Sequence, residues 1–104
     1  MKIIEYYTNK IKDEIKDAKN YAMKALEIRD TDPDQARALY DLSVEEMGHM
    51  NRLHGLIVDI IDNYRKTKGD PPAEMLARYN YLHKEAIEKA AKVKTLQGMF
   101  TEGK

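Results

Sequence analysis

An all-α fold is predicted for this chain of 104 residues, and three observations predict it. Apolar residues recur at alternating steps of three and four along three long segments, the spacing that gathers side chains onto one face of a helix. No stretch sustains the alternation of period two that a half-buried strand requires. The breaks between segments carry helix punctuation: Asp30-Thr31-Asp32-Pro33 at the first and Gly69-Asp70-Pro71-Pro72 at the second. A chain of this length is read as a single domain, near the lower end of the sizes that bury a core of their own.

The first helix is predicted over about 3–29. Its stripe is Tyr7, Ile11, Glu14, Ala18, Tyr21, Ala25 and Ile28, with Ile4, Ile15 and Ala22 alongside. The second, over about 33–68, has Asp32 as N-cap, Pro33 in the first helical position and Gln35 to complete a capping box. It carries Leu39, Leu42, Glu46, His49, Leu53, Leu56, Ile60 and Tyr64 on one face. Around Leu56-Ile57-Val58-Asp59-Ile60-Ile61 the apolar surface widens, which predicts burial on several sides. Gly69 suits the C-terminal cap. A third helix is expected over about 71–97, with Met75, Tyr79, Leu82, Ala86, Ala90 and Val93 facing inward, and the tail 98–104 is expected to fray. The first two helices should form an antiparallel hairpin.

Eighteen basic and eighteen acidic residues give zero formal net charge. They are interspersed along the chain, so no basic block points to nucleic acid and no polybasic anchor to a membrane. No apolar run approaches the roughly twenty residues that span a bilayer, and the first residues lack a signal-peptide core. A soluble, cytoplasmic protein is expected. There is no cysteine, so any metal chemistry falls to carboxylate and imidazole, which favours hard or borderline ions.

A helix of about 33 residues is about 50 Å long, whereas a compact chain of this length has a radius of gyration near 13 Å. Three such rods form an open layer with one apolar side uncovered. A second copy completes that core most economically, so a homodimer or higher homo-oligomer is expected.

Glu14, Glu46 and His49 occupy places where the hydrophobic period calls for an apolar side chain. Unpaired charge is expensive there, and a cation would remove the cost. Glu46 and His49 are three residues apart, hence on one helix face. Counted from the turn, Glu14 lies about sixteen residues before Asp30 and Glu46 fourteen after Asp32, a mismatch of roughly 3 Å along the axis. The two carboxylates and the imidazole can therefore converge. The competing reading is a buried polar cluster neutralised by Arg52 or by tyrosine hydroxyls.

Glu14 with Tyr21 seven positions on, followed by Glu45-Glu46-Met47-Gly48-His49, resembles the ferritin-like carboxylate-bridged di-iron superfamily, which includes ferritins, rubrerythrins and manganese catalases. The resemblance covers about residues 7–57 and extends to short ferritin-like proteins, encapsulated ferritins among them, with the subfamily left open. In that superfamily a four-helix bundle supplies a Glu from each of two helices and a Glu-x-x-His from each of the other two. This chain matches one half; its third helix has His83-Lys84-Glu85 but no Glu-x-x-His. The resemblance therefore implies a dinuclear iron site shared between two subunits, with Glu14, Glu46 and His49 as catalytic metal ligands. It also implies oxidation of Fe(II) by dioxygen or peroxide, in the manner of a ferroxidase or peroxidase. Manganese or zinc suits the same ligands. Storage would require a host shell that the sequence does not reveal. The alternative is a non-enzymatic helical assembly or adaptor module in which the Glu/His cluster is structural.

Other residues have two readings each. Tyr21 is either a hydrogen-bond donor to a ligating carboxylate, as the resemblance implies, or core filling. Glu45 faces about 100° from Glu46 and reads as solvated. His54 and His83 read as flank or interface histidines before accessory ligands. Gly48 weakens the helix, by about 1 kcal/mol relative to alanine, and suggests a close neighbour at its backbone. Tyr79 and Tyr81 face either a substrate channel or a subunit contact. The six methionines read as adaptable core filler.

Overall fold

The computed structural model describes residues 2–102. They form three helices, α1 (Lys2–Ile28), α2 (Pro33–Lys68) and α3 (Ala73–Glu102), with no strand among the described residues. The first turn follows the sequence signals closely. The amides of Thr31 and Asp32 donate to the Ile28 carbonyl, and the Asp32 carboxylate accepts from the Gln35 amide at 3.3 Å. That cap satisfies one of the donors a helix start leaves free. At the second turn Gly69 has φ +86°, a conformation that side chains with a Cβ rarely adopt. The Pro72 carbonyl then accepts from Met75 and Leu76, and α3 begins at Ala73, two residues later than the sequence suggests.

α1 packs along α2 and also against α3, whereas α2 and α3 touch little. Ser43 meets Ala18 and His49 meets Glu14, so positions advance along α2 as they recede along α1. Arg78 approaches Glu5 and Arg29 reaches the carbonyls of Met99 and Phe100, so α3 advances in step with α1. The molecule measures 56 × 19 × 18 Å with a radius of gyration of 16.6 Å, well above the value of about 13 Å for a compact chain of this length.

The core departs from the sequence reading in its orientation. On α1 the buried line is Ile4, Thr8, Ile11, Ile15, Ala18, Ala22 and Ala25, a row of alternating steps of four and three. Tyr7, Glu14, Tyr21 and Ile28 sit half-buried at its edge. On α2 the buried residues are Ala36, Ser43, Met47, Ile57 and Ile61, one position round from the leucine stripe. Leu42 and Leu56 remain about two-fifths exposed, at 38% and 41%. The cause is that α1 contacts both other helices, so the line of greatest burial turns towards the space they share. Val58 is also exposed, so the far end of α2 is not buried on several sides within this chain.

The C-terminal segment differs most. Residues 98–102 were expected to fray, yet α3 continues to Glu102 and Phe100 is 1% exposed. Phe100 stacks on Tyr40 with centroids 4.8 Å apart, in a second core cluster with Ala25 and Ala36. The Arg29 guanidinium donates to the carbonyls of Met99 and Phe100 at 3.1 and 3.3 Å, which are among the carbonyls a helix end leaves without partners. Gly103 and Lys104, the end of the expected tail, lie outside the described residues.

Candidate metal centre

Two small residues bring α1 and α2 together beside the site. Ala18 and Ser43 are both fully buried, and the Ser43 hydroxyl donates to the Ala18 carbonyl at 2.7 Å. The same hydroxyl accepts from the Gln97 side-chain amide of α3 at 2.9 Å. One serine therefore ties all three helices together and pins their register. Ala18 lies one turn beyond Glu14, and Ser43 lies three residues before Glu46, so the ligand residues are level one turn away.

At that level Glu14, Glu46 and His49 converge, each offering one ligand atom within 4.8 Å of the others. His49 Nδ1 lies 3.3 Å from Glu14 Oε2 and 3.7 Å from Glu46 Oε1. Donors bonded at about 2.0–2.2 Å to one tetrahedral ion lie roughly 3.4 Å apart. The glutamate side chains are 22% and 18% exposed, and that of His49 is 61% exposed. The group thus opens outward, on the α2 stripe that carries the exposed Leu42 and Leu56.

The electrostatics of this group are strained. The Glu46 carboxyl is pushed up to about 7, first by its hydrogen bond with Glu14, then by burial and by the negative charge of Glu14; Asp17 adds a little, and His49 opposes the rise. Two neighbouring carboxylates cannot both ionise cheaply, so one holds a proton that it shares with the other. A divalent ion would replace that proton, as ligand carboxylates must be ionised to bind.

The other residues singled out in the sequence fall elsewhere. Arg52 is exposed and forms no ion pair with Glu14 or Glu46 among the described residues. Tyr21 is half-buried but makes no hydrogen bond among the described residues, and seven residues of helix, about 10 Å, separate it from Glu14. Glu45 is exposed, as expected. A Cβ built on Gly48 would meet nothing within 4 Å, so the close neighbour expected at its backbone is absent among the described residues. His54 stacks on His83, with centroids 4.4 Å apart, and sits 3.2 Å from the Tyr79 hydroxyl; neither histidine joins the Glu14–Glu46–His49 group. Tyr81 is exposed.

Asp17 and Ser43 escaped the sequence reading. Asp17 had a usable signal, since it follows Glu14 by three residues on a helix. Ser43 had a weaker one, as a small polar residue in line with Ala36 and Met47. Among the described residues no helix is long and apolar enough to cross a membrane. No family model, no curated protein and no solved structure matches this chain.

Proposed function

We propose that Glu14, Glu46 and His49 bind a divalent metal ion, and that two copies of the chain join two such sets into a dinuclear iron centre that oxidises Fe(II) with dioxygen or peroxide. One observation carries this reading: two carboxylates and an imidazole from two helices converge within 4.8 Å, and in the absence of a cation Glu46 is driven towards holding a proton near neutral pH. The donor set fits the ion. Carboxylate oxygens favour iron or manganese, imidazole suits either as well as zinc, and the separations match donors around one centre.

The half-open position of the group supports sharing between copies. An antiparallel α1–α2 hairpin, doubled about a twofold axis, supplies four carboxylates and two imidazoles, the complement that the ferritin-like arrangement draws from four helices. Leu42 and Leu56 on the same stripe would be covered by the partner, and the open space at Gly48 leaves room for a close helix. In this arrangement Glu14 and Glu46 would supply the carboxylate ligands and His49 the imidazole ligand of the ions. Tyr21, on the edge of α1, would lie near the joint. Two adjacent iron ions supply the two electrons that reduction of one peroxide requires. The carboxylates of Glu14 and Glu46 and the His49 imidazole would orient the ions.

The reading of a structural cluster in an assembly module rests on the same His49–Glu14 contact, which can serve as a partly exposed hydrogen bond. Anaerobic titration of the metal-free protein with Fe(II), followed by admission of air, separates the two. Uptake near one iron per chain, rapid appearance of Fe(III) absorbance, and loss of both in Glu46→Ala are expected. Absence of specific uptake leaves the assembly module standing.

A further inference from the structure

A cleft separates α2 from α3 where the two helices scarcely touch, with a volume of about 130 Å³. Its walls are largely apolar, from Ile11 on α1, Met50 and Ile57 on α2, and Leu82, Ala86 and Ala90 on α3. An engineered apolar cavity of about 150 Å³ accepts a single benzene ring, so the space suits one ring. The lining also holds three near-parallel aromatic rings. Tyr79 stacks on His83 at 5.6 Å with planes 16° apart, and His83 on His54 at 4.4 Å with planes 19° apart. An aromatic ligand can pack against such rings edge-to-face or offset.

The stacked imidazoles are poorly placed to share a metal ion, because their lone pairs lie in near-parallel planes and do not converge. A cation is also opposed by charge. Lys12 is the one charged residue in the lining, and it forms no ion pair among the described residues. It belongs as well to a neighbouring groove that gathers Lys16, Lys19, Lys89 and Lys92 against a single acid, Asp13; of these lysines, Lys89 pairs with Glu85. A chain with no net charge thus presents a concentrated positive field beside an apolar cleft.

The geometry points to this cleft as a binding site for a small aromatic anion, a single flat ring bearing one carboxylate, with the ring between α2 and α3 and the acid towards Lys12. His54 and Tyr79 offer polar atoms within the same lining to a ring substituent. This site is separate from the Glu14–Glu46–His49 group and does not depend on metal.

Benzoate tests it directly, titrated into metal-free protein and followed by methyl NMR and calorimetry. Saturable binding with a dissociation constant of about 1 mM or tighter is expected, with shifts concentrated at Met50, Ile57, Leu82 and Ala86. Benzyl alcohol, which lacks the charge, and cyclohexanecarboxylate, which lacks the flat ring, should both bind more weakly. Lys12→Gln should weaken benzoate about three- to fivefold, the size of a solvent-exposed ion pair. Ala86→Leu, which occupies the cleft, should weaken it by at least about tenfold. If Ala86→Leu does not fold by circular dichroism, the pattern of shifts in the native protein decides. Shifts scattered over the surface, no saturation, or equal binding of the three probes would overturn the assignment.

Discussion

Glu46→Gln isolates the strain at the metal centre. In the metal-free protein the Glu46 carboxyl is pushed up from 4.5 to about 7. Its folded value is therefore raised, so the stability it confers is full below pH 4.5 and is lost as pH rises through 7. With allowance for the solvent that reaches a side chain 18% exposed, the loss between pH 5 and 8 is on the order of 1–2 kcal/mol. A divalent ion must displace the same proton. A carboxyl that titrates near 7 releases on the order of half a proton per chain on binding at pH 7, more at pH 6 and less at pH 8. Calorimetric titration with Zn(II), in two buffers of different ionisation enthalpy, reads this number without redox chemistry. Glu46→Gln removes this share of the release and flattens the pH dependence of metal-free stability. Equal proton release in the native protein and the variant, at both pH 6 and pH 8, would refute the reasoning.

Further outcomes follow from the packing. Ser43→Ala removes the hydroxyl that joins Ala18 and Gln97, and should lower stability by about 1–2 kcal/mol, read as a lower urea midpoint with an unchanged slope. Because the same bonds set the register beside the site, Zn(II) affinity should fall as well. Phe100→Ala empties the C-terminal cluster and should cost about 3–5 kcal/mol, a large part of the stability of a small domain, with hydrogen exchange accelerating first in the last turns of α3. The His83 imidazole is held below its usual value by burial and then by His54. Its contribution therefore has the opposite sign to that of Glu46, and stability is lost as pH falls below 6.5. In a Glu46→Gln background, urea midpoints between pH 7.5 and 5 should fall with acid, and less so in the further variant His83→Asn.

Much of the architecture was legible in local patterns. The Asp32-Pro33 start and the Gly69 stop depend on neighbours in sequence, so their chemistry could be read directly. The convergence of Glu14 with Glu46 and His49 was legible because a short turn between two long helices leaves little freedom of register. The rotation of the core was not. On α2 two adjacent lines satisfy the helical period, and the one richer in leucine was the natural choice. The buried line instead runs through Ala36, Ser43 and Met47, because the small residues Ala36 and Ser43 let α2 lie close against α1, its main neighbour. The fate of Phe100 depended on Tyr40 and Arg29, sixty and seventy-one residues away, and no local signal encodes such a contact. Interspersed charge along the chain likewise concealed the lysines that α1 and α3 bring to one groove.

The central claim, a metal centre shared between two copies, is tested most directly by native mass spectrometry of metal-free protein titrated anaerobically with Fe(II). A dimer carrying two iron ions, with no singly loaded monomer accumulating and with Glu46→Ala remaining metal-free, is the predicted result. Monomers that bind iron independently, or dimers equally abundant and equally loaded in the variant, would contradict it.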